Sequence, residues 1–228
     1  NPKDRFDDIE FNISKNGIYT KTNLHVDNLT IKFAGVHGIG GDTVANLNVT
    51  NCELGFIGGS MQLYDEKGNP LRYGNAIEVY GSVTKTSGYP VEEGFVVDNN
   101  YIYQVYDAGV TFQYTTDTST KVERVVFSNN VIEYCNYNIE YWNTSTSSEE
   151  EDQLNTYINN FTINNNIMRY AGYGVCTTRP DKNTSCHIRS GGSNSKYSNR
   201  VIGEFKIINN IFDCPADKMI DIGAKDKS

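Results

Sequence analysis

Apolar side chains recur along this chain in one short figure. Phe95 and Val97 alternate with small or polar residues, the pair Asn99-Asn100 follows, and Ile102 is the next apolar anchor. Alternation over so few residues is the mark of a short strand buried on one face. A tight turn is expected at Asp107-Ala108-Gly109, then a second strand over Val110-Thr111-Phe112-Gln113. The figure returns at residues 125–132 and 138–142, at 161–168 and 174–176, and at 205–212 and 219–222. Earlier copies cover 29–41 and 47–60, and one resumes at 74–80 after a loop. A degenerate first copy holds Ile9, Phe11 and Ile13. The common form is apolar-x-apolar-x-Asn-Asn-x-apolar, then small-apolar-x-apolar.

Repeats of short strands with variable insertions predict a solenoid. Hairpin turn signals between neighbouring strands are lacking, which disfavours a sandwich. The expected fold is therefore all-β: a right-handed single-stranded parallel β-helix of about seven coils. Each strand pairs with its equivalent one coil on, roughly 4.8 Å away. One domain is expected over residues 1–228, which could itself be part of a longer chain. Asn100, Asn130, Asn166 and Asn210 should stack as a ladder, since Asn accepts a left-handed bend and bonds the turn backbone. Insertions at 61–73, 81–93, 114–121, 143–155 and 177–200 should crowd one side, where loops on a rigid array commonly build a binding site.

Composition sharpens this picture. Hydrophobic residues make up 38% of the chain, which suits an elongated fold with a thin core. A net charge of −8 disfavours nucleic acid as a partner and gives no pull towards anionic membranes. No apolar run is long enough to span a bilayer and no signal peptide is visible, so no membrane insertion is expected. The five cysteines match no zinc framework. Cys52, Cys135 and Cys214 fall at apolar positions of the repeat, and Cys176 and Cys186 could pair across a loop.

The repeats resemble those of right-handed parallel β-helix proteins of the pectin-lyase-like superfamily. The combination of His37-Gly38-Ile39, Ile57-Gly58-Gly59-Ser60, Gly74-Asn75-Ala76-Ile77-Glu78 and Tyr106-Asp107-Ala108-Gly109-Val110 looks like uncharacterised bacterial members of that group. The resemblance implies a secreted or cell-surface bacterial protein that acts on a polysaccharide or oligosaccharide. It assigns no catalytic family. The Asn-Thr-Asp and Arg-Ile-Lys signatures of polygalacturonases are absent, as is the calcium-holding aspartate cluster of pectate lyases. A monomer that requires no cofactor is expected; calcium is the ion that the lyase alternative would recruit.

Side chains alternate in and out along a strand. With Ile77 and Val79 inward, Glu78 points out, and the same register places Thr111, Glu140, Cys176 and Asp221 outward on successive coils, with Gly40 before them. Glu78 and Glu140 are then two rungs, roughly 9 to 10 Å, apart. Inverting glycosidases hold their carboxyls about 6.5 to 9.5 Å apart. Asp107, flanked by Tyr106, is the third candidate; a neighbouring carboxylate would raise its pKa and suit it to acid catalysis. The expected catalytic set is Asp107, Glu78 and Glu140. Substrate contacts are expected from His37, Arg72, Tyr106, Thr111, Gln113 and Trp142, with Tyr80, Tyr114 and Tyr141 as further stacking faces. Arg72, Arg179 and Arg189 could also grip uronate carboxylates. The first expectation is a glycoside hydrolase; a uronate lyase and a non-catalytic glycan-binding or surface module are the alternatives.

Overall fold

The structure is a computed structural model and describes residues 23–42, 46–83, 94–116, 121–145, 157–179, 184–190 and 201–222. The expected first copy, at Ile9, Phe11 and Ile13, and most of the insertions lie outside them. The described chain is all-β, with two extended parallel sheets. In the first sheet the strands Asn23–Asp27, Asn46–Thr50, Phe95–Asp98, Lys121–Ser128, Tyr157–Asn164 and Val201–Ile208 lie side by side in sequence order. In the second, Thr30–Lys32, Glu53–Ile57, Tyr101–Thr116, Val131–Ser145, Ile167–Arg169 and Ile211–Asp213 do the same. The far halves of its two long strands carry a further row, made of Ile39–Asp42, Ile77–Val83, Cys186–Ser190 and Lys218–Asp221.

Alternation fixes which side chains fill the interior. Phe95 and Val97, Val125 and Phe127, and Phe161 and Ile163 are buried on equivalent positions of adjacent strands. Phe112 joins them from the other sheet, its ring centroid 5.0 Å from that of Phe95. Such edge-to-face packing suits the ring quadrupoles.

Two bends in each repeat take left-handed backbone. The first Asn of each pair takes it: Asn99, Asn129, Asn165 and Asn209 all have φ 56°. The second Asn builds the expected ladder. Asn100 Nδ2 donates to Asn130 Oδ1 at 2.9 Å, Asn130 to Asn166 at 2.9 Å, and Asn166 to Asn210 at 3.0 Å. Each acceptor oxygen also receives the backbone N–H of the rung before it. Cys52 holds the preceding rung, where its N–H donates to Asn100 Oδ1. At the other corner Phe33, Phe56, Gln104, Tyr134 and Tyr170 adopt positive φ without an Asn side chain to help. Stacking between coils offsets that strain: Phe33 lies on Phe56 at 5.1 Å, and Tyr134 on Tyr170 at 4.8 Å.

Several local expectations are corrected. Asp107 does not sit in a tight turn that separates two strands. Tyr101–Thr116 is one strand, and the register against its neighbour slips between Val105 and Ala108. Two residues there face the single Asn136, which is a β-bulge. Cys176 does not lie on the outward line of a strand. It is buried in the 3-10 turn Gly174–Thr178, and the strand of that coil is Cys186–Ser190. Cys214 is exposed rather than interior, and none of the five cysteines forms a disulfide, Cys176 and Cys186 included. Tyr141 packs into the core. No helix among the described residues is long and apolar enough to cross a membrane.

Candidate functional site

The outward line of the third strand row runs Gly40, Glu78, Thr111, Glu140, Arg189 and Asp221, each paired with the next. Arg189 takes the place expected for Cys176. Beside this line lies a cavity of about 570 Å³, and Glu78, Asp107 and Glu140 all line it. Three carboxyls from three adjacent strands thus meet one groove. His37 and Gln113 also line it, as do Tyr73, Asn75, Tyr137, Arg179 and Arg189.

Each carboxyl is held differently. Glu140 is 6% exposed. Its Oε2 accepts from Thr111 Oγ1 at 3.3 Å and from Gln113 Nε2 at 3.3 Å. Burial pushes the Glu140 carboxyl up to about 8, helped by the nearby Asp107 charge and opposed by Arg189. Asp107 forms an ion pair with Arg179 Nη1. The bulge turns it there, and its backbone N–H donates to Gly74 O at 2.9 Å. Glu78 accepts from Asn75 Nδ2 and lies 3.1 Å from His37 Nδ1. Burial raises its pKa, and the Asn75 bond opposes the rise.

Asn75 ties two repeats together. Its Oδ1 accepts the N–H of Ala108, next to Asp107, at 2.9 Å, while its Nδ2 reaches Glu78. Its own N–H donates to His37 Nδ1 at 3.2 Å. A ring nitrogen with a single lone pair cannot accept there and also donate to Glu78. Asn75 and Glu78 thus both approach the one ring nitrogen of His37.

No protein-family model, curated protein or solved structure matches this chain. Its own geometry therefore carries the functional reading.

The remaining candidates divide. Arg72 lies outside this cavity and lines a second one, where its Nη1 donates to Gly59 O at 3.3 Å. Tyr106 lines that second cavity too, but it is only 3% exposed. A Cβ on Gly59 would meet its ring at 3.1 Å, and the Arg179 guanidinium lies 5.5 Å from its centroid. It is thus packed rather than an open stacking face. Thr111 is fully buried and reaches the groove only through Glu140 and Gln113. Trp142 pairs through its backbone with Gln113, but its side chain, like those of Tyr80 and Tyr114, lies outside the described residues.

Asn75, Tyr73 and Tyr137 are absent from the sequence-based set, and Arg179 and Arg189 enter it only as residues of an insertion. The signal for Arg189 is present in the chain: Cys186-His187-Ile188-Arg189-Ser190 alternates as the repeat does. Arg189 Nη1 donates to the Tyr137 hydroxyl at 3.0 Å, and its guanidinium lies 4.8 Å from that ring centroid. Among the described residues no three His, Cys, Asp or Glu side chains converge as a metal site. Glu78 is turned to His37 and Asn75, and Asp107 to Arg179, so this donor set does not fit the calcium of the lyase alternative.

Proposed function

We propose that the chain is a right-handed single-stranded parallel β-helix of the pectin-lyase-like type and that its groove hydrolyses glycosidic bonds. One observation supports this above others. Glu140, which burial and the Asp107 charge keep protonated near neutral pH, lines one cavity with Asp107, which is held against a guanidinium. Two carboxyls in such opposed environments suit an acid and a base.

In this mechanism Glu140 is the general acid. Both of its recorded donors reach Oε2, which leaves Oε1 to carry the proton to the leaving oxygen. Asp107 is the base that takes a proton from the attacking water, with Arg179 fixing its orientation. Glu78, held between Asn75 and His37, binds a substrate hydroxyl. No step uses a metal. A secreted or cell-surface monomer acting on a polysaccharide or oligosaccharide completes the reading.

Release of reducing ends from a panel of plant and host glycans tests it. Glu140→Gln and Asp107→Asn should each lower kcat by on the order of 10²- to 10⁴-fold. Full activity in both variants would sink the assignment. A uronate lyase is the second reading, favoured by the Arg189–Tyr137 contact, which sets a cation against a phenol in the groove. Unsaturated product absorbance on acidic polysaccharides would identify it. Retention of a glycan in affinity electrophoresis without turnover would instead mark a binding module.

A further inference from the structure

The hairpin of Met61–Tyr64 and Pro70–Arg72 stands over a second cavity of about 480 Å³. Tyr73 lines both this cavity and the one that holds the carboxyls. The bulge between Val105 and Ala108 divides two consecutive residues between them: Tyr106 lines the hairpin cavity and Asp107 the carboxyl cavity. The two spaces therefore adjoin along the Tyr73 ring and the bulge.

The chemistry of the hairpin cavity differs from that of its neighbour. Pro70, Leu71, Tyr73 and Tyr106 give it apolar and aromatic walls. Its carboxylate, Asp65, is occupied by the hairpin turn. Asp65 Oδ1 accepts the N–H groups of Lys67 and Asn69, and Oδ2 accepts Asn69 Nδ2. Tyr73 is 40% exposed, and among the described residues its hydroxyl makes no hydrogen bond. An open phenol face beside apolar walls, with Asn69 and Arg72 as polar groups at the margin, matches a ligand that has C–H faces and hydroxyl edges.

We propose that the hairpin cavity is a sugar subsite. It takes a third glycosyl unit, beyond the two whose linkage lies at the carboxyls, and Tyr73 is the stacking platform at its edge. This rests on the glycan reading of the main groove. It makes the protein's affinity depend on oligosaccharide length.

Isothermal titration with xylo-, manno- and galacturono-oligosaccharides tests it, each as disaccharide and hexasaccharide. Leu71, which lines the hairpin cavity and not the carboxyl cavity, gives the decisive variant. Leu71→Ala should weaken hexasaccharide binding about tenfold, or about 1.4 kcal/mol, and leave the disaccharide unchanged. Tyr73→Ala should weaken the hexasaccharide at least as much, and Tyr73→Phe should restore it. Equal loss at both lengths, no loss at either, or no binding by the wild-type chain overturns the subsite. If the hexasaccharide binds in this length-dependent way but is never cleaved, the hydrolase reading falls and the subsite stands. If it is cleaved with Leu71→Ala and Tyr73→Ala unaffected, the hydrolase reading stands and the subsite falls.

Discussion

The charge of Asp107 acts on the Glu140 carboxyl across adjacent strands and, after burial, is the next largest cause that keeps its proton on. Replacing that charge should release the proton earlier. In Asp107→Asn the Glu140 pKa falls below about 8, and ¹³C titration of the side-chain carboxyl would register the change. An unchanged midpoint would mean that burial alone sets it.

The same carboxyl makes stability depend on pH. Its folded pKa, about 8, lies above the ordinary 4.5, so the folded state binds the extra proton between those values. Stability therefore falls as pH rises through that window and levels off above about 8. Glu140→Gln, which cannot ionise, should match wild type near pH 4.5 and exceed it near pH 8 in urea unfolding. If Glu140 is the acid, turnover also falls about tenfold per pH unit above its pKa.

His187 should impose the opposite dependence at lower pH. It is fully buried, stacked on Phe212 at 5.6 Å, and Asn138 Nδ2 lies 3.1 Å from its Nδ1. Burial pulls its pKa from 6.5 down to about 4. Between those values the unfolded chain binds the proton and the folded chain does not, so stability is complete above 6.5 and is lost as pH falls through about 4. The loss is on the order of 3 kcal/mol, and His187→Gln should flatten it in denaturant melts taken across that range.

Asn130 carries four bonds of the ladder. Its Oδ1 accepts the N–H and Nδ2 of Asn100, and its Nδ2 donates to Val97 O and Asn166 Oδ1. Asn130→Ala leaves several of these groups buried without a partner, at about 1 to 3 kcal/mol each. Chemical denaturation should show a loss on the order of 3 kcal/mol or more. A loss below 1 kcal/mol would contradict the ladder's structural role.

Asn75 should tune Glu78. Its Nδ2 bond favours the ionised carboxyl, so Asn75→Ala raises the Glu78 pKa further, as seen by ¹³C titration. The variant also strips the Ala108 N–H of its acceptor. A lowered Glu78 pKa would contradict this arrangement.

Part of this protein was legible from its residue order. The inward set Phe95, Val97, Val125, Phe127, Phe161 and Ile163 follows from alternation alone, because a strand's side chains have a period of two. So does the ladder of Asn100, Asn130, Asn166 and Asn210, since a repeated Asn at a repeated bend has equivalent neighbours. The alignment of Glu78, Thr111 and Glu140 needed nothing more than the repeat register.

Other features depend on counts that a single strand does not contain. A bulge exists only relative to a neighbour: Asp107 is turned to Arg179 because two residues face the single Asn136 across the sheet, and nothing local to Tyr106-Asp107 signals this. Arg189 joins the outward line because a long insertion returns to the sheet at Cys186, and loop length does not encode where a strand re-enters. The proton affinities of Glu140 and His187 were beyond the sequence for the same reason. Burial and the Asp107 charge are made by residues from separate strands, and only packing brings them within reach of one another.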